Sequence, residues 1–106
     1  MMRKKIVAGN WKMNLGLPEG EALITAILSQ LKDVPLKAEV IVAPSFITLP
    51  LAAVLTKGSV IKIAAQNCSS ESQGAFTGEV SAAMIKSAGA EYVIIGLRTE
   101  EYLQGK

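Results

Sequence analysis

Short apolar runs alternate with longer amphipathic ones along these 106 residues. Lys5-Ile6-Val7-Ala8-Gly9 predicts a strand over residues 5–9. A helix is expected over 18–32, where Pro18 suits a first turn and Glu19 and Glu21 complement the positive end of the helix dipole. Leu23, Ile24, Ile27, Leu28 and Leu31 then fall on one helical face, and Pro35 stops the run. The second strand is expected over 39–43, ended by Pro44, and a second helix over 47–56. Residues 60–64 form the third expected strand, followed by a long polar loop over 66–78. Loops of that length are uncommon unless functional. A third helix over 79–87, begun by Glu79 as a dipole partner and closed by Gly89, leads to a fourth strand over 92–95 that Gly96 ends. The last ten residues, with Arg98, Glu100 and Glu101, read as a short helical tail.

Strands separated by helices imply parallel pairing through right-handed crossovers. The strands are near-continuous apolar runs, as expected for strands buried on both faces. The fold class is therefore α/β, in one domain over residues 1–106. An open doubly wound sheet and a section of a barrel both fit this periodicity.

Composition narrows the chemistry. Half of the residues are apolar and only 19% are charged, which excludes a disordered chain and leaves apolar surface for something else to cover. A net charge of +2 with interspersed signs is no nucleic-acid footprint. The apolar run after the basic start is too short for a signal peptide, and no stretch approaches the ~20 residues of a membrane span. A soluble cytoplasmic protein is the default. The single cysteine, Cys68, cannot form an internal disulfide and reads as a small, partly buried side chain. The sequence contains no histidine, which excludes Ser-His-Asp, Cys-His and His-based metal sites within these residues.

Three motifs separate the barrel from the open sheet. Val7-Ala8-Gly9-Asn10-Trp11-Lys12-Met13-Asn14 ends the first strand, and Ala65-Gln66-Asn67 ends the third. Gly74-Ala75-Phe76-Thr77-Gly78-Glu79-Val80-Ser81 opens the third helix, and Ala90-Glu91-Tyr92-Val93-Ile94-Ile95-Gly96 follows. Together, over residues 3–96, these resemble the triosephosphate isomerase family. The resemblance implies the first half of a (β/α)₈ barrel: four parallel strands, helices on the outer face and chemistry at the carboxyl ends of the strands. It implies the interconversion of dihydroxyacetone phosphate and glyceraldehyde 3-phosphate, a step of glycolysis and gluconeogenesis, with no metal and no cofactor. In that reaction negative charge builds on an enediolate oxygen, so a fixed cation nearby lowers the barrier. By resemblance Lys12 is that cation and faces the substrate phosphate, while Asn10 helps to hold Lys12 and the substrate oxygen. Taken alone, Lys12 is a solvated lysine, Asn10 a turn residue and Trp11 a packing residue.

The family's electrophilic histidine follows the glycine that ends strand four, in a Gly-His-Ser-Glu-Arg-Arg run. Here the run reads Gly96-Leu97-Arg98-Thr99-Glu100-Glu101. Leu97 stands at the histidine position and cannot donate a hydrogen bond. Ungapped, Thr99 replaces the acid that pairs with the lysine, and two glutamates replace the arginines; a one-residue gap matches Glu101-Tyr102-Leu103 to the family's Glu-Tyr-Phe instead. Neither alignment restores the histidine. The base of the family lies on strand six and the phosphate loops follow strands six to eight, beyond these residues. An acid–base group contributes roughly 10²–10⁴-fold and an electrophilic donor roughly 10²–10³-fold, so the chain alone is expected to sit near background.

The loop over 66–78 carries two readings. In the family it reaches a neighbouring subunit, and the residue matching Thr77 approaches the partner's site, which implies a homodimer; otherwise it is a moving surface loop. Three hypotheses stand for the whole: an inactive isomerase fragment, natural or engineered, a half-barrel module that assembles through its open sheet edges, or one half of an enzyme completed by a separate chain. A homo-oligomer, foremost a dimer, is expected because open edges and apolar faces are sticky. A weak phosphate-type anion near Lys12 is the other expected partner; nucleic acid and membrane are not.

Overall fold

In the computed structural model, described over residues 5–35 and 37–95, the apolar runs form four strands. They are β1 (Lys5–Asn10), β2 (Ala38–Ala43), β3 (Ile61–Ala65) and β4 (Tyr92–Val93). Between them lie α1 (Leu17–Leu31), α2 (Leu49–Thr56) and α3 (Ala82–Ser87). All strand pairs are parallel, and the order across the sheet is β1-β2-β3-β4. A doubly wound sheet would place β1 inside and reverse direction at a switch point. Sequential order without reversal is the winding of a barrel, and the four strands curl as half of one.

The helices occupy one face. Ile24 of α1, Leu49 and Ala52 of α2 and Ile85 of α3 pack with Val42, Ile61, Ile63 and Ala65 in the main core. Each fully buried Ile, Leu or Val among them contributes about 1.5–3 kcal/mol. The opposite face carries a smaller cluster, Ile41, Ala43 and Ala64 with Ile94, to which no helix contributes. This is the inner face of the half barrel.

Three expectations need correction. The third helix starts at Ala82, not at residue 79: Ser81 is the N-cap, its hydroxyl accepting from the Met84 amide at 3.2 Å. Glu79 lies before it, its amide donating to the Phe76 carbonyl at 3.0 Å, so it is no first-turn dipole partner. The fourth strand is shorter than residues 92–95; the Ile94 amide still reaches the Ala65 carbonyl at 2.9 Å, but the ladder ends at Val93. Most consequentially, β1 is not buried on both faces: all six of its residues are exposed. It has β2 on one side and, among the described residues, no strand on the other.

Tight joints position the rest. Gly89, with φ of 102°, follows α3; a Cβ there would come within 2.6 Å of the Ala53 Cβ, so only glycine lets the turn press against α2. Across the inner face near the amino ends of the strands the Tyr92 hydroxyl donates to Glu39, and close by Lys62 pairs with Glu91 at 3.7 Å. Among the described residues, no helix is long and apolar enough to cross a membrane.

Candidate active site

The carboxyl end of β1 runs directly into a backbone conformation that lysine rarely adopts. Lys12 has φ of 56°, in the left-handed region, which costs an ordinary residue about 1–2 kcal/mol. Such a conformation persists only when its surroundings over-determine it, and here three side chains do. Asn10 Oδ1 accepts from the Lys12 amide at 2.9 Å. Gln66 Nε2 donates to the Lys12 carbonyl at 2.9 Å and to the Ala43 carbonyl at 2.8 Å, joining the ends of β1, β2 and β3. Asn14 Nδ2 donates to the Trp11 carbonyl at 2.7 Å.

Trp11 anchors the turn from below. Its amide donates to the Ala43 carbonyl at 3.0 Å, and its ring packs against the main core beside Gly20 of α1. The packing role expected for Trp11 is what the structure contains. Lys12 itself is exposed, and among the described residues no carboxylate pairs with its ammonium. Asn10 and Lys12 are therefore brought together, on backbone fixed by hydrogen bonds, with a cation presented at the strand ends. Electrostatic stabilisation of developing negative charge needs this kind of preorganisation.

Sequence reasoning gave no role to Gln66 or Asn14. Gln66 is the residue that binds three strand ends together; the sequence marked it only as part of the Ala65-Gln66-Asn67 motif, a polar amide where an apolar strand stops. Thr77 lies apart, exposed on the loop over 66–78, and makes no hydrogen bond to Asn10 or Lys12. That loop is tied at its base, where the Ser69 amide donates to the Val80 carbonyl at 2.8 Å and Ser69 bridges to Ser81. Near its tip, Gly74 at φ of 137° lies under the Phe76 ring, so close that a Cβ would meet Phe76 Cε2 at 2.8 Å. Leu97 lies outside the described residues, as do Arg98, Thr99, Glu100 and Glu101. Cys68 is half-buried, its thiol donating to the Ser69 carbonyl at 3.3 Å.

Of two hollows, one borders the site. One of about 280 Å³ lies between Met13, Asn14 and Leu15 after β1 and Ser45, Phe46 and Ile47 after β2. Its rim is apolar and uncovered: Met13 is 95% exposed and Ile47 66%. A larger one of about 800 Å³ lies away from Lys12, along the outer edge of β4 and α3. No group of three or more His, Cys, Asp or Glu side chains among the described residues could hold a metal ion.

The family model for triosephosphate isomerase matches residues 5–98. A triosephosphate isomerase of Chloroherpeton thalassium is 52% identical over 95 residues, covering 90% of this chain and 38% of the relative. Those of Porphyromonas gingivalis and Clostridium acetobutylicum are 50% and 48% identical over the same shares. The chain thus spans little more than a third of the length of the relatives it matches.

Proposed function

The chain belongs to the triosephosphate isomerase family, and from that premise we propose that it supplies the cationic, anion-facing corner of the family's site without running the reaction alone. The family reaction moves a proton between adjacent carbons of a triose phosphate through an enediolate. Lys12 is the fixed cation that offsets the negative charge on the enediolate oxygen and on the phosphate. Asn10 orients both the lysine and the substrate oxygen. The observation that carries this reading is the left-handed backbone of Lys12, gripped at its amide by Asn10 and at its carbonyl by Gln66. An ordinary surface lysine has no need of such a hold.

Proton transfer is another matter. These 106 residues hold no histidine, and Leu97 occupies the position of the family's imidazole. A leucine neither polarises a carbonyl nor exchanges a proton. With no imidazole and no positioned base, the chain alone binds weakly and turns over nothing, and its place in a glycolytic step in the cytoplasm depends on what completes the barrel.

The same reading gives Thr77 to a second copy. The apolar rim of Met13, Leu15 and Ile47 and the half-exposed Phe76 are surfaces without cover in one chain. Docking the loop tip of one copy into the 280 Å³ hollow of another covers both.

The test is a titration of the purified chain with dihydroxyacetone phosphate, followed by NMR, beside a coupled assay on the same sample. Resonances of Lys12 and Asn10 should move at millimolar ligand, Lys12→Met should abolish the movement, and the rate should equal that of buffer. Movement that survives Lys12→Met, or turnover above buffer, contradicts the proposal.

A further inference from the structure

We infer that Gly20 of α1 and Thr48, the N-cap of α2, form a slot for the Trp11 ring and through that ring set the place of Lys12, so that both are positioning residues for anion binding. This rests on the reading of Lys12 as the anion-facing cation. It does not involve the loop contact or a second copy.

Three locally unfavourable choices meet at this one ring. Glycine inside a helix is less favourable than alanine, yet Gly20 is a buried residue of α1. Threonine at an N-cap normally offers its hydroxyl to an amide of the first turn. Thr48 makes no such bond, and its buried hydroxyl has no hydrogen-bond partner among the described residues, which costs free energy. Lys12, next after Trp11, holds φ of 56°. Local rules broken together in one place mark a functional site.

The slot is tight. A Cβ at position 20 would lie 3.1 Å from Thr48 Cγ2 and 3.4 Å from Trp11 Cζ3, so a neighbour must give by a few tenths of an ångström. Thr48 is 0% exposed and has no room to retreat. Trp11 is half-buried, just past a strand whose six residues are all exposed. The indole is therefore the group that moves.

Its movement passes to Lys12 with little slack. The peptide joining Trp11 to Lys12 is planar. Its carbonyl accepts from Asn14 Nδ2 at 2.7 Å, and its amide, that of Lys12, donates to Asn10 Oδ1 at 2.9 Å. Turning this peptide strains both bonds and swings the lysine from the place they fix. A misplacement of about 1 Å can cost on the order of 10²-fold, so a few tenths should cost about tenfold.

The experiment uses the purified chain, its amide NMR spectrum and titration with dihydroxyacetone phosphate. Gly20→Ala should shift the Asn10 and Lys12 resonances of the free chain and weaken binding about tenfold, although alanine is the better helix former. Thr48→Ser removes the methyl group that the new Cβ meets, so Gly20→Ala with Thr48→Ser should bring both readouts back towards the original chain. Ile85→Val, a core change on α3, should lower stability and move neither readout. Should Gly20→Ala not fold, Thr48→Ala opens the slot from its other wall, and it should shift the same resonances and weaken binding. Asn10 and Lys12 resonances and an affinity that stay unchanged in these variants overturn the inference. So does an Ile85→Val chain that changes them as much. A chain whose resonances ignore the ligand, or move equally in Lys12→Met, contradicts the anion-facing role of Lys12 instead; the Lys12 shift in the free variants then still decides whether the slot positions it.

Discussion

β1 and β3 are written in nearly the same language and meet opposite fates. Ile6-Val7-Ala8 and Ile61-Lys62-Ile63-Ala64-Ala65 are both short apolar runs, yet every residue of β1 is exposed while Ile61, Ile63, Ala64 and Ala65 are buried. β3 has a strand on each side and packs through Ile61, Ile63 and Ala65 with residues of α1, α2 and α3. β1 has one neighbour. The pattern of a strand states what it can bury, and its place in the sheet decides whether it does. Two-sided hydrophobicity on an exposed edge marks surface still to be covered.

The same substitution in the two strands gives the largest contrast. Ile63→Ala should cost about 2–5 kcal/mol by denaturant unfolding, a large share of the stability of a chain this size. Gly89→Ala comes next, at about 1–3 kcal/mol, because a positive φ and a 2.6 Å approach to Ala53 both oppose a methyl group on the side of the sheet that is finished. Gln66→Leu probes the stitch between the two regions. Loss of its two donated bonds should cost about 1 kcal/mol, while Trp11 fluorescence and the Lys12 backbone shifts change as the turn after β1 relaxes. Smallest of all, Ile6→Ala in dilute solution should lower the unfolding free energy by less than about 1 kcal/mol, since its side chain has little to lose. Should Ile6→Ala match Ile63→Ala in cost, β1 is covered after all and the contrast between the strands fails.

Much of this was legible in the chain. The alternation of periods gave four strands and three helices, and the Asn10-Trp11-Lys12 and Gly74 to Ser81 motifs gave the family. What escaped depends on contacts between distant positions. Glu79 and Ser81 both suit a helix start, and only the bond from the Met84 amide to Ser81 shows which one caps. The amide of Gln66 reaches a carbonyl 54 positions away, and the Tyr92 hydroxyl a carboxylate 53 away, neither of which local spacing encodes. The exposure of β1 could not be read either, because the run that buries well in a closed barrel is identical to the run left bare on an edge.

Hydrogen exchange, read residue by residue at two protein concentrations, tests this account most directly. The amides of β3 should be protected at both concentrations. Those of β1 that point away from β2 should exchange fast in dilute solution. Protection of β1 equal to that of β3 at the lowest concentration would contradict the exposure of β1 on which the account rests.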